Sequence, residues 1–118
     1  MKYLCLVYSQ ETDLAGLSQT EYDKLVADHG ALNDALRKSG HFVAANALEP
    51  VRTATTLQVR NGKLSATDGP FAETKEQLAG FYLIDARDLD DALQVAAKIP
   101  AIRFGTVEVR PVMDLQQP

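Results

Sequence analysis

Residues 3–8, Tyr-Leu-Cys-Leu-Val-Tyr, are apolar at six consecutive positions. An extended chain turns alternate side chains to opposite faces, so an unbroken apolar run of this length is buried on both sides and belongs in the interior of a sheet. Residues 80–84, Gly-Phe-Tyr-Leu-Ile, repeat the pattern and predict a second interior strand. Between these two runs the periodicity changes. Ser18-Gln19-Thr20-Glu21 has the spacing of a capping box, and Tyr22, Leu25, Val26, His29, Leu32 and Leu36 then recur at the three- and four-residue spacing of one helix face. Gly40 supplies the left-handed stop. Residues 42–45 read as a strand ended by Glu49-Pro50, because proline cannot donate to an interior ladder. Residues 54–60 and 63–67 flank Asn61-Gly62, the pair best suited to the positive backbone angles of a type I′ turn. Asp88 is placed to cap a second helix with Leu89, Ala92, Leu93 and Ala96 on one face, stopping before Pro100, and residues 106–112 form the last strand.

The predicted order is strand, helix, strand, hairpin, strand, helix, strand. It amounts to two βαβ halves of unequal length, an α+β fold of ferredoxin-like βαββαβ pattern with an inserted hairpin. Two helices cover one face of such a sheet. The interior strands are apolar on both faces, so the other face needs a cover that this chain does not supply. A second copy would supply it, which predicts a homodimer with its sheets face to face, a dimeric α+β barrel.

The length, 118 residues, suits one domain over residues 1–118. Twelve basic and sixteen acidic residues give a net charge of −4, which argues against binding to a phosphate backbone and so against direct contact with nucleic acid. Cys5 stands alone, so no internal disulfide can form and a reducing compartment, the cytoplasm, is expected. No stretch approaches the ~18 apolar residues of a membrane span, and the first apolar run is too short for a signal peptide.

Asp68-Gly69-Pro70-Phe71-Ala72-Glu73-Thr74-Lys75-Glu76 is the most distinctive segment. Gly69-Pro70 fixes a turn, after which carboxylates and an ammonium follow an aromatic ring just ahead of the second interior strand. Such a cluster is either a solvated loop in which Lys75 pairs with Glu73 or Glu76, or part of a site.

The string DGPFAETKEQLAGFYLIDA (residues 68–86), with Leu89-Asp90-Asp91-Ala92-Leu93 and the ending Gly105-Thr106-Val107-Glu108-Val109-Arg110-Pro111-Val112, resembles the DGPF branch of the YCII-related proteins. Met1 to Tyr8, Gly40 and Ala54-Thr55-Thr56 also fall in place. The resemblance implies a small bacterial cytoplasmic protein with the dimeric α+β barrel fold. It implies, too, a suspected cofactor-free acid/base chemistry built on a helix histidine and a strand aspartate. A regulatory or accessory role beside a sigma factor of the extracytoplasmic-function type is the alternative it implies. The histidine carries over to His29, eleven residues before Gly40. The aspartate has no counterpart in His41-Phe42-Val43-Ala44, so Asp68 or Glu73 is the expected substitute.

One reading of these residues is therefore an enzyme: His29 as general acid or base, Asp68 or Glu73 orienting it, Phe71 as an apolar wall, and Lys75, Glu76 and Arg110 around a small anionic metabolite. The other is a binding module in which His29 is a core residue and the 68–76 loop a clasp for a protein partner or for the second subunit. His41, beside the glycine stop, is expected to be exposed. No metal is expected, since two histidines and one cysteine lack any paired-ligand spacing. Glycines scattered along the chain make no phosphate loop, so no nucleotide or other cofactor is indicated.

Overall fold

A computed structural model describes residues 1–115. Six strands and three helices alternate along the chain: β1 (Lys2–Ser9), α1 (Glu11–Ala15), α2 (Gln19–Ser39), β2 (Phe42–Ala47), β3 (Thr55–Arg60), β4 (Lys63–Asp68), β5 (Gln77–Asp85), α3 (Leu89–Ala96) and β6 (Gly105–Pro111). Short 3-10 turns occupy Val51–Thr53 and Pro100–Arg103. The class is α+β. Four strands make one antiparallel sheet in the order β2-β5-β1-β6, and β3 and β4 make a separate two-stranded ribbon.

The two apolar runs are the central pair. β1 and β5 lie side by side with Tyr3 opposite Ile84 and Cys5 opposite Tyr82. Tyr3, Cys5, Val7, Tyr82 and Ile84 are buried and pack with Leu32 and Leu36 of α2 and Ala92, Val95 and Ala96 of α3 in one cluster, so both long helices lie on the same face. The alternate residues Leu4, Leu6, Tyr8, Phe81 and Leu83 point the other way and are only half-buried. Cys5 is fully buried, and desolvation pushes its thiol up to about 11, which leaves it an unreactive core residue at neutral pH.

Local chemistry sets the boundaries. At the start of α2 the Ser18 hydroxyl accepts from the Glu21 N–H at 3.1 Å while the Glu21 carboxylate accepts from the Ser18 N–H at 2.9 Å. Glu21 is held below the usual carboxylate range by those two bonds. At the other end Gly40 has φ 83°, a conformation that costs L-residues energy, and its N–H and that of His41 close the last turn on Arg37 and Leu36. The Arg37 guanidinium then lies 4.4 Å above the Phe42 ring, covering the edge of the core where β2 begins. The hairpin turns at Asn61 and Gly62, both at positive φ.

α1 has no counterpart among the elements expected from the sequence. Five residues are too few to show a helical period, and its N-cap Gln10 makes no side-chain cap. It is fixed from outside instead: the Glu11 N–H donates to Gln77, and the Glu11 carboxylate accepts from the Val51 N–H at 2.8 Å.

The β3–β4 ribbon is amphipathic. Leu57 and Val59 face across to Ala66 and Leu64 on one side, with Thr56, Gln58, Arg60, Lys63, Ser65 and Thr67 on the other. Leu57, Val59 and Leu64 are exposed. The ribbon gives the chain a flattened outline, 50 × 48 × 19 Å, and a radius of gyration of 16.4 Å against the about 13.5 Å of a compact chain this long.

Candidate functional site

The best-formed apolar cleft, about 270 Å³, lies between α2 and the β2–β5 side of the sheet. Val26, His29 and Asn33 recur at helical spacing on α2 and line it from above. Val7, Ala45, Ala47 and Tyr82 form its floor, and Ala101 its end. Gly80 lets the floor close up, because a Cβ there would sit 2.8 Å from the Asn46 carbonyl oxygen. Small side chains thus bring β2 tight against β5 and leave room beneath the helix.

The polar side chains of His29, Asn33 and Tyr82 line this cleft. His29 Nδ1 lies 2.9 Å from the Tyr82 hydroxyl, with the rings stacked at 6.1 Å between centroids and 21° between planes. Among the described residues, Nε2 of His29 has no hydrogen-bond partner, so one ring nitrogen is anchored and the other is open. Asn33 Oδ1 is buried without a partner, a state that costs about 1–3 kcal/mol unless a donor arrives.

Burial holds the His29 imidazole below its ordinary value, the Arg103 guanidinium adds to this, and the Asp28 carboxylate opposes it. His29 is therefore neutral at pH 7. Burial raises the Tyr82 phenol, which stays protonated and able to donate. Arg103 is engaged at 2.8 Å by Asp28, which also takes Lys24 at 2.9 Å; these bonds hold Asp28 below the usual carboxylate range. A neutral imidazole with a free nitrogen, braced by a phenol in an apolar cleft, can accept a proton from a bound molecule and return it.

The other residues singled out from the sequence lie elsewhere. Asp68, Phe71, Glu73, Lys75 and Arg110 are exposed, Glu76 is half-buried, and none of the six lines the His29 cleft. The loop 69–76 is held by its backbone: the Gly69 N–H donates to Ala54 at 2.7 Å, the Thr56 hydroxyl to the Gly69 carbonyl at 2.8 Å, and the Thr74 hydroxyl to the Glu76 carbonyl. Glu76 accepts from the Thr106 hydroxyl at 2.8 Å, which ties the loop to β6. Among the described residues Lys75 pairs with neither Glu73 nor Glu76, and Arg110 has only a loose 3.9 Å contact with Glu108. Phe71 stands 78% exposed.

Two functional-looking partners escape a sequence reading. Tyr82 sits in an apolar run and reads as core, although a buried tyrosine hydroxyl requires a partner and so carries a signal. His41, expected to be exposed, is instead largely covered, 21% exposed at its side chain, with Nε2 at 3.0 and 3.1 Å from the two Asp91 oxygens and Nδ1 at 2.7 Å from Ser39 Oγ. Asp91 also accepts from the Arg87 N–H at 3.0 Å, and these bonds, the backbone one first, hold its carboxyl below the usual range. The pairing joins the end of α2 to the first turn of α3.

Among the described residues no group of three or more His, Cys, Asp or Glu side chains is arranged to hold a metal ion. Nor is any described helix long and apolar enough to cross a membrane.

Residues 1–116 match the YCII-related domain. The chain is also 38% identical over 114 residues to uncharacterized protein R00369 of Rhizobium meliloti (strain 1021), an alignment covering 95% of this chain and 92% of that one. Matched over almost its entire length by the domain and by this relative, the chain belongs to the YCII-related family.

Proposed function

We propose that the protein is a cofactor-independent acid–base enzyme, a lyase, isomerase or hydrolase of small metabolites, with its active site in the His29–Tyr82 cleft. The observation that carries this is the imidazole itself: half-buried, neutral, anchored through Nδ1 at 2.9 Å and open at Nε2. A positioned acid or base of this kind is worth ~10²- to 10⁴-fold in rate. Tyr82 takes the orienting role for which the sequence reading proposed Asp68 or Glu73. These carboxylates, with Phe71, Lys75, Glu76 and Arg110, remain candidates for contacts made by the 68–76 loop at the mouth of an assembled site.

The assembly in this reading is a homodimer, with ferredoxin-like subunits of the DGPF branch joined as a dimeric α+β barrel. The strand order β2-β5-β1-β6, the half-buried Leu4, Leu6, Tyr8, Phe81 and Leu83, and the exposed apolar side of the β3–β4 ribbon support it. A cytoplasmic location rests on the single buried cysteine. A second reading, a docking module for a protein such as an extracytoplasmic-function sigma factor, is favoured by one feature only, the exposed Phe71 in a loop fixed by its backbone.

An NMR pH titration of both imidazoles, assigned with His29→Gln and His41→Gln, tests the enzyme reading. The expected result is a His29 midpoint below the free value of ~6.5 that moves when small metabolites are added. A His29 that ignores every added metabolite sinks the enzyme and turns attention to Phe71.

A further inference from the structure

The walls of the cleft say what kind of molecule fits it. Its lining is mainly apolar, its volume of about 270 Å³ equals that of about nine waters at ~30 Å³ each and so suits a small molecule, and among the described residues no lysine or arginine lines it. The Arg103 guanidinium, whose charge is felt at His29, lies outside the lining and is held at 2.8 Å by Asp28. A carboxylate seated against these walls would give up part of its hydration with no lysine or arginine in the lining to replace it, an unfavourable transfer. An uncharged molecule carries no such penalty. The anionic metabolite expected from the sequence was drawn to Lys75 and Arg110, and neither reaches this cleft.

We infer that the cleft takes a small, uncharged carbonyl compound with an acidic C–H beside the carbonyl, whose oxygen is held by the Tyr82 hydroxyl while His29 Nε2 removes the carbon-bound proton. This deepens the acid–base reading and rests on it. The 2.9 Å contact admits two tautomers. In one, Tyr82 O–H donates to Nδ1 and Nε2 carries the proton. In the other, Nδ1–H donates to the Tyr82 oxygen, which frees the hydroxyl proton for a ligand and leaves the lone pair on Nε2. A carbonyl oxygen accepting from Tyr82 selects the second.

The step then balances without a co-reactant. The α-proton passes to Nε2, the C–H electron pair becomes the new C=C bond, and the carbonyl π pair moves to the oxygen, which Tyr82 O–H stabilises. The cleft holds an enolate and an imidazolium, neutral as a pair, so no net charge meets the apolar walls. Once the Nε2 proton has traded with solvent, return of a solvent-derived proton to the same carbon completes hydrogen exchange. Where a C=C beside the α-carbon extends the enolate to a dienolate, return to the γ-carbon isomerises the compound. With an anionic substrate the same step would leave a net negative charge beside Ala45, Ala47 and Ala101.

The test uses the full chain with ¹⁵N-labelled histidine and a matched pair of probes, cyclopentanone and 3-oxocyclopentane-1-carboxylate. Occupancy is read from the His29 imidazole resonances, and proton transfer from loss of the ketone α-proton signals in D₂O. The expected result is that millimolar cyclopentanone shifts His29 and leaves His41 still, while the carboxylate does neither. Exchange of cyclopentanone should exceed the buffer rate by ~10²-fold or more, drop at least tenfold in Tyr82→Phe and vanish in His29→Gln. Tyr82→Phe changes only a hydroxyl, so the test survives should His29→Gln fail to fold. If the carboxylate occupies the cleft at lower concentration than the ketone and exchanges its protons, the ligand class is overturned and the acid–base reading stands. If cyclopentanone shifts His29 without exchange, the proton transfer falls and the ligand class is kept. If neither probe moves His29, the whole inference is overturned.

Discussion

His29 and His41 stand twelve residues apart, one on α2 and one just past its end, and both are largely covered by protein. Their surroundings differ completely. His41 is clamped between a hydroxyl and a carboxylate, with Nε2 at 3.0 Å from Asp91 and Nδ1 at 2.7 Å from Ser39, so both ring nitrogens are spent inside the fold. His29 has one nitrogen on a phenol and the other unused, and the groups around it disfavour its charged form. The first arrangement suits a joint between two helices. The second suits proton transfer to something that is not part of the chain. Residue type and sequence position do not separate the two; the partner on the opposite element does.

The largest effect that would sharpen this contrast is expected on the His41 side. Asp91→Ala removes the acceptor for His41 and for the Arg87 N–H at once, and leaves the latter donor without its partner at the start of α3. The melting temperature should fall by several degrees, while a ligand-induced shift of His29 should survive. An equal loss from His41→Gln and from the double variant would identify the pair as one unit. A variant as stable as the parent would show that the pair does not hold the helices together.

Tyr82→Phe comes next and acts on the other side. Losing the hydroxyl should cost about 0.5–1.5 kcal/mol of stability, because one half-buried hydrogen bond goes and its shape remains. Any turnover in the cleft should fall far more, by ~10²-fold or greater. Equal small losses in stability and activity would make Tyr82 a packing residue.

A pH series separates the two sites by range, since both lose stability on acidification. His29 has a folded pKa below its unfolded value of ~6.5, so on acidification the unfolded chain takes up the proton first. Stability is full above ~6.5 and declines as the pH falls from there towards the folded pKa. Asp91 declines in the same direction but in a lower window: its folded pKa lies below the unfolded ~3.9, so its contribution is present above that value and is lost as the pH falls from there through the folded pKa. Urea midpoints between pH 7 and 3 should show the first decline vanish in His29→Gln and the second in Asp91→Asn. A first decline that persists in His29→Gln would assign it to another group.

Much of the fold could be read from residues alone because it rests on short-range rules. The capping box at Ser18, the glycine stop at Gly40 and the Asn61-Gly62 turn are each decided within four residues, and the two apolar runs announce the central strands. The site is less legible because its pairs join distant elements. Asp91 meets His41 across 50 residues and Tyr82 meets His29 across 53. The carboxylates of the 68–76 loop are the conspicuous partners for His29 in sequence, whereas Tyr82 lies in an apolar run that reads as core. The partner of a neutral histidine in an apolar cleft is a hydrogen-bonding group without charge, and that physical requirement points to a phenol or an amide ahead of an aspartate.

The smallest effect is expected in the loop that is most distinctive as sequence. Phe71 is exposed, and Lys75 has no ion pair among the described residues, so neither Phe71→Ala nor Lys75→Glu should change the stability of an isolated protomer beyond about 0.5 kcal/mol. That near-silence makes the pair a clean probe of assembly. In a dimer that uses the loop as a clasp, charge reversal at Lys75 should shift the monomer–dimer equilibrium measured by sedimentation, with the melting temperature becoming more dependent on concentration. In a dimer held by the sheet faces alone, Lys75→Glu should leave both unchanged, whereas Leu6→Lys on the half-buried face should dissociate it. A chain monomeric before any substitution would remove the barrel and leave the cleft of one protomer to account for whatever chemistry the protein performs.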